Sequence, residues 1–126
     1  MIGESYFIKL VIPNQGEAEA ELIRVKGPHL TEIIFDSLPI TSRGFKRDGM
    51  FFIPINALYA VEKPSTSGRR GDIIYDSKGK SLFLLLSEKT FDTKIANIGR
   101  VNKNLEIFDK IASSAGVRIE KRANQE

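Results

Sequence analysis

The chain has 126 residues, no cysteine, 41% apolar and 28% charged residues, and a formal net charge of +3. One soluble domain is the expectation at this length, large enough to bury roughly two-thirds of its unfolded surface, and disulfides and thiolate metal sites are excluded. Nineteen basic residues are interleaved with sixteen acidic ones, which dilutes any field for phosphate backbones, so nucleic acid is not an expected partner. The opening segment MIGESYFIKLVIP lacks a basic leader and carries Lys9 inside its apolar stretch, so no signal peptide is expected. No apolar run approaches the roughly 18–20 residues that span a bilayer. Together with the absence of cysteine, this points to a cytoplasmic protein with no membrane partner.

In chain order, Tyr6 to Pro13 reads as a first strand and Asn14-Gln15-Gly16 as its turn. Glu17 to Val25 alternates, with Ala18, Ala20 and Leu22 on one face and Glu17, Glu19 and Glu21 on the other. That is a half-buried antiparallel strand, with a break in the pattern near Leu22-Ile23. Gly27-Pro28 opens a helix over about 28–37, with Leu30, Ile33, Ile34 and Leu38 as its apolar stripe and Pro39 as its stop. Thr41–Lys46 and Gly49–Ile55 form a second hairpin around Arg47-Asp48-Gly49. Asn56 to Tyr59 is read as one helical turn, and Glu62 to Arg70 as a polar loop.

The centre of the pattern is Gly71 to Ser87, read as strand, turn and buried strand. Asp76-Ser77-Lys78-Gly79 supplies the turn, with Gly79 free to take a positive φ. Leu82-Phe83-Leu84-Leu85-Leu86 is the longest apolar run and fits a strand covered on both faces. Glu88 to Thr93 is a polar connection interrupted by Phe91, and Lys94 to Val101 is another strand. Asn104 is placed to cap a helix striped by Leu105, Phe108, Ile111, Ala112 and Ala115, with Gly116 as its terminator. Val117 to Lys121 is the last strand. The sum is a mainly β domain over residues 1–126, with about eight strands, two helices, a core over 6–121 and a frayed tail at 122–126.

Gly99-Arg100-Val101 followed by Asn104–Ile111 resembles the late strand and helix of cyclophilins. Ser81-Leu82-Phe83-Leu84-Leu85 resembles their Ser-Gln-Phe-Phe-Ile core strand. Gly71-Asp72-Ile73-Ile74-Tyr75 with Gly79-Lys80 is similar to the Gly-Asp-x-x-Tyr and Gly-Lys pattern of the prokaryotic minimal cyclophilin-like family. The resemblance runs over about residues 6–121 and implies a closed or nearly closed eight-stranded antiparallel barrel with two helices on its ends. It carries a fold and little chemistry.

Prolyl isomerisation is the activity the resemblance implies. The barrier is about 18–20 kcal/mol; an enzyme lowers it with an arginine near the prolyl nitrogen, an apolar pocket and polar groups on the twisting carbonyl. Lys46 and Arg47 stand where the family has its arginine, and Phe52 or Phe51 matches the pocket phenylalanine. Leu84 stands for the second phenylalanine and Leu82 for a glutamine, while Pro54 and Ile55 replace another glutamine. The expected tryptophan is absent, with Phe91 the nearest aromatic. The apolar floor is therefore kept and most of the polar groups are lost. The reading is a binding module for a peptide or small ligand, non-enzymatic or weakly active, with a groove of Lys46, Arg47, Phe52, Phe83, Leu84 and Phe91. A reduced prolyl isomerase is the alternative, and assembly with a second copy through exposed barrel edges is the third.

No catalytic residue, metal or cofactor is assigned. The single histidine, His29, lies in the first helix and cannot build a typical zinc site alone. Gly79-Lys80-Ser81 ends like a phosphate-binding loop, but Ile74 stands where that loop needs a small residue, and a strand follows instead of a helix.

Overall fold

The computed structural model describes residues 5–55, 57 and 59–122. The expected turn at 56–59 falls partly, and the tail at 123–126 wholly, outside the described residues. Nine strands are described: β1 (Ser5–Ile12), β2 (Gly16–Ile23), β3 (Ile40–Arg47), β4 (Met50–Pro54), β5 (Pro64–Gly68), β6 (Asp72–Asp76), β7 (Ser81–Leu85), β8 (Lys89–Lys103) and β9 (Ser114–Lys121). The helices are α1 (Pro28–Asp36) and α2 (Glu106–Asp109).

Eight of these strands form a closed antiparallel barrel in the order β2-β1-β9-β3-β4-β7-β6-β8, and β8 pairs back onto β2. The ninth, β5, is added outside the ring along the first half of β8. Closure pairs the barrel strands around the ring; outside it, β5 and the start of β8, which pairs only with β5, keep an unpaired edge among the described residues. Helix α1 packs at the end of the barrel where β2 finishes, with Phe35 stacked on Tyr6 at 4.7 Å. Helix α2 packs at the opposite end, where β2 begins, and its Phe108 meets Phe51 at 5.3 Å.

Strand alternation divides the apolar residues into two clusters. Phe51, Ile53, Ile73, Tyr75, Leu82 and Leu84 point inward and join Ile8, Leu10, Ala18, Ala20 and Leu22 in the barrel core. That core is packed, with an internal space of only about 10 Å³ beside Ile8 and Leu84. The alternate residues of the same strands, Met50, Ile74 and Leu85, point outward and form a second cluster with Ile95, Phe52, Phe83 and Phe91. Strand β5 lies over part of it: Gly68 sits so close that an added Cβ would be 2.6 Å from a Leu85 methyl.

Several local expectations are corrected. The polar stretch PSTSG is a strand, β5, because it borrows its partner from β8 and has no apolar face of its own. The connection before Lys94 is also strand, part of the fifteen-residue β8. The second helix is a single short turn. Asn104 adopts φ 66 and gives its amide to the Glu17 carbonyl at 3.1 Å instead of capping, and Gly116 lies within β9. Leu30 and Ile34 in α1, and Leu38 just beyond it, are buried as the stripe requires, but Ile33 is exposed and Thr31 takes the buried place instead. At the β6–β7 turn the left-handed residue is Lys80 (φ 52), not Gly79. Beside Gly79, a Cβ would stand 3.0 Å from the Asp76 carboxylate that accepts the Lys78 and Gly79 N–H groups. The hairpin β1–β2 keeps its register through Ser5↔Ile23, and the irregularity lies at Glu19/Ala20 on the β8 side. Arg122 is not part of a loose tail: its N–H donates to Phe7 O at 2.9 Å.

Candidate functional site

The β3–β4 hairpin turns on Asp48 (φ 55) and Gly49 (φ 76), the two-residue loop with both residues left-handed that matches strand twist. That turn fixes Arg47 opposite Met50 and Phe45 opposite Phe52. Phe52 in turn faces Phe83, and Phe83 faces Ile74. One cross-strand row therefore runs over the outside of the barrel as Phe45, Phe52, Phe83 and Ile74. The rings of Phe52 and Phe83 are stacked at 4.5 Å, and Phe91 follows at 6.3 Å from Phe83. The guanidinium of Arg47 lies 4.8 Å from the centre of the Phe52 ring, a cation–π contact. Phe45 remains 48% exposed beside this row.

Four of the six groove residues read from the sequence are thus brought together: Arg47, Phe52, Phe83 and Phe91. The other two are not. Lys46 alternates to the opposite side of β3, where its ammonium donates to Asp109 O at 2.7 Å and Ile111 O at 3.1 Å. Leu84 is buried inside the barrel, and the outward residue of that strand is its neighbour Phe83. Matching by resemblance is blind to such a step, because one residue of offset moves a side chain to the other face of a sheet. Phe45 was missed. Its signal was present, since it directly precedes Lys46 in a strand whose turn sets its pairing with Phe52.

A concave region lies elsewhere, where β8 leaves β5 and begins to pair with β2. It is a cleft of about 480 Å³ whose wall includes Lys26, Arg69, Asp72, Glu88, Asn97 and Arg100. It borders a smaller one of about 260 Å³ at Val25, Lys63 and Asn97. A third, of about 380 Å³, lies against the N-terminus of α1 beside Ile33 and Tyr59. The N-terminus of α1 itself is filled from within: Glu62 accepts the His29 and Leu30 N–H groups at 3.1 and 2.7 Å. Gly79-Lys80-Ser81 runs directly into β7, so no helix stands ready for phosphate there. Among the described residues no three His, Asp or Glu side chains gather as metal ligands, and no helix is long and apolar enough to cross a membrane.

Titration is shifted at three places. Burial pushes the Tyr75 phenol above its ordinary value. Its hydroxyl donates to Ala57 O at 2.8 Å and accepts the Tyr59 N–H at 2.7 Å, which pins that segment to the barrel. The paired hydrogen bonds from Arg70 hold the Asp109 carboxyl below the usual aspartate value, and the same pair raises Arg70. None of the three borders the aromatic row.

No family model matches the chain, and no curated protein matches it. Among solved structures it is similar to the hypothetical protein AF2241 from Archaeoglobus fulgidus, with a TM-score of 0.80 and 20% identity over 96% of this chain and 98% of that one. It is also similar to McbB, solved in complex with tryptophan, with a TM-score of 0.78 and 12% identity over 94% of this chain and 46% of that one. The chain therefore spans just under half of McbB, and at these identities the likeness is one of fold.

Proposed function

We propose that the chain is a binding module of the cyclophilin-like kind, non-enzymatic or weakly active, that holds a short peptide or amino-acid-sized ligand on its outer aromatic row. The observation that carries this reading is the unbroken series Arg47, Phe52, Phe83 and Phe91 on one outer face. Ring faces accept a prolyl or aromatic side chain, and the guanidinium at the end of the row suits an adjoining carbonyl or carboxylate. The residues bordering the row, Met50, Ile74 and Leu85, are apolar. They offer nothing to hold a twisting carbonyl more tightly in the transition state than in the ground state, which argues against efficient isomerisation. Arg47 is the one group of the row that supports the alternative, a weak prolyl isomerase. Among the described residues, pairing with a second copy could use the edge of β5, five residues that begin at a proline, and the start of β8.

The test is an NMR titration with short Xaa-Pro peptides, with tryptophan added because McbB was solved with it. Exchange spectroscopy on the peptide runs in the same samples. Saturable shifts are expected at Arg47, Phe52, Phe83 and Phe91 without faster cis–trans exchange. Phe91→Ala and Arg47→Ala should each weaken binding by about 3- to 10-fold. Accelerated exchange would select the isomerase. Shifts that ignore both substitutions would remove the row from consideration.

A further inference from the structure

The polar cleft is built by an irregularity. Between Ile73↔Gly99 and Ile74↔Asn97 the β6–β8 ladder slips by one residue, leaving Ile98 unpaired against β6. Such a bulge re-aims neighbouring side chains. On the other edge of β8, pairing with β5 ends at Ala96↔Pro64 and pairing with β2 begins at Leu22↔Gly99. Asn97 lies in the gap between the two partners and lines both the 480 Å³ cleft and the 260 Å³ one. Its Nδ2 donates to Asp72 Oδ2 at 3.0 Å, and that carboxylate fixes which end of the amide is which. Its Oδ1 is buried and has no hydrogen-bond partner. A buried acceptor left unpaired costs about 1–3 kcal/mol, so Asn97 is a strained point in the cleft wall that a small shift of the wall would relieve.

Charge around Asn97 is also unspent. The Asp72 carboxylate is occupied by Asn97 and by the Arg69 N–H at 2.9 Å. The Arg69 guanidinium and the Lys26 ammonium make no hydrogen bond or ion pair among the described residues. Arg100 has only a loose contact to Glu21 at 3.9 Å. Three cations thus face one cleft with two acids, Asp72 already engaged and Glu88 beside it, which leaves the wall with a net positive charge.

We infer that this cleft is a second ligand site, which takes a small organic anion with its charged head between Lys26, Arg69 and Arg100. The cleft volume lies within the range of small-molecule sites, while its polar wall selects against an apolar occupant. The head group is a phosphate or a carboxylate; both are oxyanions that a guanidinium binds in the same forked way. The site is independent of the aromatic row.

The experiment is an NMR titration of the full chain with ribose 5-phosphate and with lactate, against inorganic phosphate and sodium chloride at matched ionic strength. Saturable shifts of the Ser67, Arg69, Asn97 and Arg100 amides are expected with at least one of the two organic probes. A stronger response to ribose 5-phosphate identifies the head as phosphate, and one to lactate identifies it as carboxylate. The double variant Lys26→Ala/Arg69→Ala should weaken binding at least about fivefold and leave the rest of the spectrum in place, since neither side chain holds another residue. Three results would overturn the inference: no saturable shift up to about 10 mM of either probe, shifts reproduced by sodium chloride, or unchanged affinity in the double variant.

Discussion

Asp109 and Arg70 join parts of the chain that are far apart in sequence. Arg70 donates from Nη1 to Asp109 Oδ1 at 3.0 Å and from Nη2 to Oδ2 at 2.6 Å, and Nη1 also reaches Leu86 O at 2.9 Å. The pair ties the turn before β6 to α2. Both side chains are 44% exposed, so solvent screens the interaction and it contributes less than about 1 kcal/mol. The Asp109 carboxyl titrates below its ordinary value because Arg70 binds its charged form. Its contribution is therefore complete above the unfolded-state value of about 3.9 and is lost as pH falls through the folded-state value below it. Asp109→Asn should lower the melting temperature at pH 7 by no more than about 4 °C. That deficit should persist down to about pH 4 and close in more acidic solution. A deficit of equal size at pH 7 and at about pH 2 would mean that Arg70 is not what Asp109 contributes.

The seam between β2 and β8 closes the barrel, and it depends on one residue without a side chain. A Cβ at Gly99 would overlap the carbonyl oxygen of Glu21 on the facing strand. Backbone cannot rotate out of the way, so the strands would have to separate. Gly99→Ala should cost about 1–3 kcal/mol or more in a denaturant titration. Gly116→Ala is the matched control within β9, where an added Cβ meets nothing within 4 Å, and it should leave the midpoint unchanged or slightly raised. If both substitutions behave alike, the close approach at Gly99 does not govern closure. This seam also shows what the sequence could reveal. Alternation at Ala18, Ala20 and Leu22 placed β2 with the right face inward, and Asp48-Gly49 placed its hairpin turn, because both signals are local. Strand β5 and the first half of β8 were hidden, since PSTSG finds its partners only in β8, at Lys89, Thr90, Ile95 and Ala96 across a register shift, and neither segment buries a continuous face. The second helix was overread for a related reason. Phe108 and Ile111 are buried at helical spacing, but Ile111 is buried beyond the single turn of α2, just ahead of β9. Within the aromatic row, Arg47, Phe52, Phe83 and Phe91 were legible from resemblance. Phe45 and the exclusion of Leu84 required the register.

Closure of the whole molecule couples the two ends of the chain. Strand β9 lies between β1 and β3, with Leu10↔Ile119 on one side and Ile40↔Ile119 on the other. The first hairpin can form early from local contacts, but its β1 edge has no partner until the last strand is present. Most contacts that define the barrel are long-range in this sense, which favours slow, cooperative folding over assembly in stages. A chain ending at Ser113 would keep every residue of the aromatic row and of the polar cleft. It would lose Val117 and Ile119 from the core and leave the facing edges of β1 and β3 open. Removing those two buried side chains and two ladders costs an amount comparable to the 5–15 kcal/mol by which domains are typically stable. The truncated chain is therefore expected to show no cooperative melting transition by circular dichroism and to aggregate through its open edges. A cooperative transition in that chain would mean that the remaining seven barrel strands close without β9, and that the ring order does not control stability.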